Sequence, residues 1–368
     1  MNPLYFCNRT WGPDYTSTWL DVALASQLAP DNLPYAAAHA PCCKYIVFTN
    51  YEDKAMIEAH PNWKKVEELM DTILIFIPED VRKGKWFSEM QEIVFHSHYS
   101  IMAWCDVEGM MIAAREGASL FPLAPDNIHS NGSFRTAVQH LAAGRHAVMA
   151  GACLRVKAEV FKPTSFEARD LVRLAMQNLH PCAGHFFWQS QTPITSPYKL
   201  CWPVGEQGVV SHALILVPLA VTPRRPLRLP FLYSDDDWPV LNCDPEDMAL
   251  VLDSDEAFIA EATREDFKFG SPSPQVYDEC WLGDVFRQNF IPHQWDFLRH
   301  ATRIHSGTIL EQDWDSVEQR ARFIIENILQ RVRSFDAGNW VCDQDYGIHR
   351  PDPWWPLHLI PDGIGALK

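Results

Sequence analysis

The chain is expected to fold as an open α/β protein, with a mostly parallel sheet flanked by helices and an irregular α+β portion towards the C-terminus. Three observations carry that expectation. Over roughly the first 160 residues, apolar runs of strand length alternate with segments of helical spacing. Those runs are nearly continuous rather than alternating, as strands covered on both faces are. The connections between them are short.

Taken in order, "KYIVFTN" (44–50) is a β-rich run closing on Thr49 and Asn50. Pro61 opens "NWKKVEELM" (62–70), whose apolar residues recur at helical spacing. "DTILIFIP" (71–78) is a second buried-strand pattern. A long helical region runs from about Trp86 to Gly117, with a break near His98 compatible with the pattern. The strand "SLFPLAP" follows, then the helix "SFRTAVQHLAAG" (133–144), ended by Gly144, and the strand "RHAVMAGACLRV". Beyond this, "SFEARDLVRLAMQNLH" (165–180) reads as an amphipathic helix, and "GVVSHALILVPLAV" as one strand or two broken at Pro218. "MALVLDSDEAFIAEA" (248–262) is a short apolar strand ending in Asp253, Asp255 and Glu256. "SVEQRARFIIENILQRVRSF" (316–335) is the strongest helix, and the proline- and tryptophan-rich tail reads as an extended arm. No repeat or low-complexity linker divides the chain, so one domain is expected over 1–368.

Composition bounds the function. With 47% apolar and 21% charged residues in 368, the chain is globular and long enough to bury a sizeable core. The formal charge of −16, from 47 acidic against 31 basic residues, argues against nucleic acid or an anionic membrane as the main partner. The densest basic cluster, "TPRRPLRLP" around Arg224, Arg225 and Arg228, fits either a solvated loop or contact with a phosphate. Ten scattered cysteines without a C-x-x-C pair read as reduced thiols. No signal peptide is visible and the apolar runs are too short to span a bilayer, so a cytoplasmic location with at most transient membrane contact is expected.

Ligands of open α/β sheets sit beyond the carboxyl ends of the strands. The candidates there are Thr49 and Asn50, Pro78 and Glu79, and Asp126 and Asn127. A transferase acting on a nucleotide-sugar needs a base pocket, a site for the diphosphate and a carboxylate that takes an acceptor proton. The first strand end could take the base, Asp126 the diphosphate or its metal, and the 253–256 carboxylates the proton. Simpler readings stand beside these: Asp126 as a turn or helix cap, and the acidic cluster as a solvated strand end. His96, His98 and Cys105 fall on one helical stretch, where His98 and Cys105 share a face and His96 does not, and offer a minor zinc reading. No G-x-S-x-G, Walker A or G-x-G-x-x-G motif supports a serine hydrolase, P-loop enzyme or dehydrogenase.

"WGPDYTSTWLDVALASQLAPDNLPY", the strand ending "FTN", and "LAPDNIHSNGSFRTAVQHLAAGRHAVMAG" together resemble the bacterial GT-A-fold glycosyltransferases. The resemblance follows the order of elements over about residues 1–160 and scattered motifs beyond. In that fold a D-x-D motif at a strand end opens a helix, a start that Ser130 to Phe134 imitate. Where the family reads D-x-D, this chain aligns Leu123-Ala124-Pro125 and leaves Asp126 beside the motif.

The resemblance implies a GT-A-like (Rossmann-like) fold, with 1–160 binding the nucleotide-sugar, 161–335 carrying the acceptor and catalytic half, and 336–368 as an arm. It implies a nucleotide-sugar donor and a glycan, lipid-linked or small-molecule acceptor, in a chain compatible with a homodimer. The expected donor-binding residues are Thr49, Asn50, Asp126, Gly132 and Ser133; the expected catalytic carboxylates are Asp253, Asp255 and Glu256. His305, in "TRIHSGT", stands where the family often has a metal ligand. Two routes stay open: Mn²⁺ or Mg²⁺ held by Asp126, His305 and the diphosphate, or a metal-free site in which helix amides near Gly132 and Ser133 receive the phosphate. A non-catalytic carbohydrate-binding or scaffold protein, and a glycoside hydrolase with a pair such as Asp255 and Glu279, are the alternatives.

Overall fold

The computed structural model describes residues 1–83, 98–161, 165–223, 243–290 and 292–334. The basic cluster at Arg224, Arg225 and Arg228, His96 and the tail from 335 lie outside the described residues.

The strands are β1 (Leu4–Arg9), β2 (Cys43–Thr49), β3 (Asp71–Phe76), β4 (Ser119–Leu123), β5 (Asn127–His129), β6 (Ala147–Ala150), β7 (Cys153–Lys157), β8 (Lys199–Val204), β9 (Gly208–Ala213), β10 (Val217–Val221), β11 (Met248–Val251), β12 (Ile259–Thr263) and β13 (Thr302–His305). The longer helices are α1 (Pro61–Leu69), α2 (His98–Glu116), α3 (Ser133–Ala142), α4 (Ala168–Gln177), α5 (Glu279–Asn289) and α6 (Glu311–Arg333).

Seven strands form the main sheet in the order β11-β6-β10-β4-β1-β2-β3. All its pairings are parallel except those of β10, which runs antiparallel between β4 and β6. The fold is therefore mixed α/β with a large, mostly parallel central sheet and flanking helices.

The period of two in the strands builds both layers. On β1, Leu4 and Phe6 pack with Trp19, Phe121 and Phe134 on one face, while Tyr5 and Cys7 pack with Trp104 and Met110 on the other. A central strand covered on both faces must be apolar throughout, which is why these runs do not alternate. The apolar residues Trp314, Ala321, Ile324, Ile325, Ile328, Leu329 and Val332 form one stripe of α6, packed against β8 and α5.

The structure corrects the reading of two segments. "RHAVMAGACLRV" is not one strand: β6 and β7 belong to different sheets, β7 joining β5 and β12 in a three-stranded sheet. The corner is Gly151, where an added Cβ would lie 2.2 Å from Thr302 Oγ1. Only a residue without a side chain lets β13 approach that closely. "GVVSHALILVPLAV" does contain two strands, but the break is at 214–216, and Pro218 sits inside β10 beside a register shift. An irregular ladder is where a strand tolerates a residue that cannot donate.

β13 completes a third sheet in the order β13-β9-β8. Arg303 fastens it to α6, donating to Glu311 at 2.7 and 3.0 Å and to Glu318 at 2.6 Å, with its guanidinium 5.2 Å from the Trp314 ring centre. Among the described residues no helix is long and apolar enough to cross a membrane. The nine cysteines found there are all free thiols.

Candidate metal centre

β11 ends at Val251 and the chain folds back on itself at once. The amides of Glu256 and Ala257 donate to the Asp253 carbonyl at 3.1 and 3.3 Å, and the Asp255 amide donates to Asp253 Oδ1 at 2.8 Å. An aspartate whose side chain bonds its own backbone two residues on is the usual device for such a turn. Ser254, between the two aspartates, is fully buried. Its amide donates to the Arg303 carbonyl at 2.9 Å, and its hydroxyl accepts the His305 amide at 3.0 Å. The Arg303 amide in turn donates to the Leu252 carbonyl at 2.8 Å. These bonds dock β13 against the turn and carry His305 to the carboxylates.

Asp253, Asp255 and His305 each offer one ligand atom, and the three atoms lie within 4.8 Å of one another. His305 is 8% exposed. Its Nδ1 lies 2.9 Å from the Gly307 carbonyl, so that nitrogen carries the proton and donates. Nε2 then faces Asp253 Oδ1 at 3.1 Å and Asp255 Oδ2 at 3.8 Å. A lone pair cannot face two carboxylate oxygens unopposed: a proton or a cation has to stand between them. The Asp253 contact raises the His305 pKa above the ordinary imidazole value, against the opposing effect of burial. Burial pushes the Asp253 carboxyl up, but the hydrogen bonds from His305 and the Asp255 amide outweigh it and hold the pKa below the usual value.

The donor set fits a divalent cation. Ligand atoms about 2.0–2.3 Å from one ion are separated by roughly 3–4.5 Å, a range that holds the 3.1 and 3.8 Å from His305 Nε2 to the two carboxylates. One imidazole with two carboxylates suits Mn²⁺ better than Mg²⁺, which favours an all-oxygen shell. The Gly307 carbonyl supplies the outer contact that fixes the ring's tautomer.

Arg169, in the first turn of α4, clasps the site from outside. Its Nε and Nη2 donate to the two oxygens of Asp255 at 3.0 and 2.8 Å. Glu256 is exposed at the same turn, and its carbonyl accepts from Thr136 Oγ1 at 2.9 Å.

Asp126, between β4 and β5, is not among the three residues of that group. Its carbonyl accepts the Ala262 amide at 2.8 Å, and burial, then the Glu261 charge, push its carboxyl above the usual range against Arg155 and Arg9. Glu261 itself pairs with Arg155 at 2.6 Å. The helix amides near Gly132 and Ser133, expected to receive phosphate, have partners within the chain. Gly132, at φ +98°, turns the chain into α3, but the following amides are already taken. Ser133 donates to the Ser130 carbonyl at 3.1 Å, Phe134 to Asn32 Oδ1 at 3.0 Å and Arg135 to the Asp31 carbonyl at 3.0 Å. A phosphate would have to displace all of them.

The ends of β1 and β2 are different. Thr49 Oγ1 and Asn50 Oδ1 are buried without a partner, and so are both polar atoms of the Asn8 side chain. Such atoms cost about 1–3 kcal/mol each when unmet, so a polar ligand or water at these strand ends would restore stability. The sequence did not single out Asn8. Its signal was available, an amide inside the otherwise apolar "LYFCN" near the strand end. Arg169 had none, since it reads as one more charge on the polar face of an amphipathic helix.

No known protein family matches the chain, and no curated protein matches it. Among solved structures it is similar to mouse xyloside xylosyltransferase 1 in its apo form, with a TM-score of 0.30 and 13% identity, over 40% of this chain and 52% of that one. The chain thus spans about half the length of the xylosyltransferase it matches.

Proposed function

We propose that the protein is a cation-assisted glycosyltransferase that takes a sugar from a nucleoside diphosphate donor and passes it to a hydroxyl of a glycan, lipid-linked or small-molecule acceptor. One observation carries the reading: His305 Nε2, its partner nitrogen committed to Gly307, faces the oxygens of Asp253 and Asp255 at the carboxyl end of a sheet strand. That is a cation site at the place where open α/β sheets bind ligands.

Asp253, Asp255 and His305 would hold the ion, which when bound neutralises charge on a departing diphosphate. This makes the first two carboxylates ligands and leaves Glu256, exposed beside them, to orient the acceptor hydroxyl or receive its proton. Thr49, Asn50 and Asn8 offer unmet hydrogen-bonding atoms to the polar edge of a nucleotide. Asp126, its carboxyl raised, is a neutral donor over a wider pH range than an ordinary aspartate and suits a contact with a sugar hydroxyl.

A thermal-shift panel of UDP, GDP, CDP, TDP, CMP and NAD, each with and without Mn²⁺, tests the reading. A ligand that binds only the folded chain raises Tm in proportion to its affinity. The expected result is stabilisation by one nucleoside diphosphate, larger with Mn²⁺ than without. No shift with any nucleotide would contradict the transferase and favour the carbohydrate-binding alternative.

A further inference from the structure

Arg169 raises a question that the stability of its helix does not answer. It stands in the first turn of α4, where the helix dipole disfavours a cation by about 0.3–1 kcal/mol. Its side chain is 45% exposed, so packing does not hold it there. What it does is close a planar fork on Asp255, at 3.0 and 2.8 Å, with a third nitrogen 3.5 Å from Thr308 Oγ1. The neighbouring arginine of the same helix, Arg173, is engaged elsewhere, with Asp170 at 2.7 Å and the Ser306 carbonyl at 3.3 Å. Arg169 is therefore committed to Asp255, one of the two carboxylates of the candidate metal centre, through a two-pronged ion pair.

We infer that Arg169 is an exchangeable counter-ion: a divalent cation takes over Asp255, and the released guanidinium turns to the anionic group that the cation binds. This rests on the function proposed above. Charge counting drives it. With His305 neutral, as a metal ligand must be, Asp253, Asp255 and Arg169 sum to one negative charge. A divalent ion makes that one positive, and a diphosphate oxygen restores the balance. The guanidinium, a flat fork with five donors, fits phosphate as well as it fits carboxylate. Its exposure leaves it free to swing between the two.

The counter-ion role and a merely structural one predict opposite signs. If Arg169 competes with the metal, removing it strengthens metal binding and weakens the diphosphate. If Arg169 only orients Asp255, removing it weakens metal binding.

The test is Mn²⁺ titration followed by electron paramagnetic resonance on the full chain, for the wild type, Arg169→Gln and Arg169→Lys, then repeated with inorganic pyrophosphate. The expected result is that Arg169→Gln binds Mn²⁺ about threefold to fivefold more tightly, and Mn²⁺-dependent pyrophosphate about threefold to fivefold more weakly, the equivalent of removing one screened charge. Arg169→Lys, which keeps the charge without the fork, should fall between. The exposed position makes a folding defect no obstacle, and unchanged Tm in the absence of metal checks this. Equal or weaker Mn²⁺ binding by Arg169→Gln overturns the inference while leaving the metal centre standing. Absence of Mn²⁺ binding by the wild type and both variants overturns the inference and the cation-assisted reading together.

Discussion

Two strand ends in this protein carry carboxylates after a short apolar run, and they behave differently. At the end of β4, Asp126 continues directly into β5, its carbonyl tied to Ala262 and its carboxyl set among Glu261, Arg155 and Arg9. At the end of β11, Asp253 and Asp255 flank a buried serine that anchors another strand, and that strand delivers a histidine. The first arrangement raises a carboxyl and keeps it protonated longer; the second lowers one and gathers ligands. The lesson is that the element docking across a strand end decides what its aspartate does, more than the local motif.

That comparison can be broken or sharpened experimentally. The largest effect should come from the ligands: Asp253→Asn or His305→Ala is expected to weaken Mn²⁺ binding by roughly 100-fold, since even supporting contacts around a metal are worth about 10–100-fold. Calorimetric titration reads this directly, and Asp126→Asn in the same assay should stay within about twofold of wild type. If Asp126→Asn lost as much affinity as Asp253→Asn, the two strand ends would share one site and the distinction would fall.

The next effect concerns how β13 reaches the turn. Gly151→Ala should destabilise the fold by about 1–3 kcal/mol, because the new methyl meets Thr302 Oγ1 at 2.2 Å. Chemical denaturation measures it. Pairing the change with Thr302→Ala, which deletes the offending oxygen, should recover much of the loss. Failure of that rescue would mean that the close approach is not what sets the corner.

A smaller effect separates the two aspartates by pH. Asp126 has a raised folded pKa, so the folded state holds its proton more firmly than the unfolded one. Stability from this group is greatest at acid pH and falls as pH rises from the unfolded value near 3.8 through the folded one. Asp126→Asn should therefore gain on wild type as pH rises across that window. Asp253 has a lowered folded pKa, so its contribution is present above about 3.8 and is lost as pH falls through the folded value. Asp253→Asn should lose to wild type at neutral pH, and the gap should close in acid. The Tm difference from wild type, plotted against pH, would show slopes of opposite sign for the two variants; parallel slopes would remove the electrostatic part of the comparison.

Much of the framework was legible in the sequence because apolar runs and helical spacing announce themselves: β2, β4, β11 and the helices α1, α3, α4 and α6 follow from them, while β3, read as a buried strand, is a partly exposed edge strand. What could not be read is which distant segments meet. Asp253, Asp255 and His305 each stood out singly, yet the histidine lies 52 residues from the first aspartate and reaches it only because β13 docks on Leu252 and Ser254. Asp126 attracted attention through a local likeness, an apolar strand followed by a helix start, and its distant neighbours Ala262, Glu261, Arg155 and Arg9 were not legible from that stretch. The antiparallel β10 and the corner at Gly151 were hidden for the same reason: pairing partners are set by topology, which spacing along one segment does not encode.

The central claim is that the cation held by Asp253, Asp255 and His305 touches the diphosphate of a nucleotide. Phosphorus nuclear magnetic resonance of whichever nucleoside diphosphate stabilises the protein, recorded with Mn²⁺ on wild type and Asp253→Asn, tests it most directly. The account predicts strong paramagnetic broadening of the phosphate signals in the wild type and its loss in the variant, with the nucleotide still bound. Equal broadening in both, or a bound nucleotide whose phosphates never sense the metal, would contradict it.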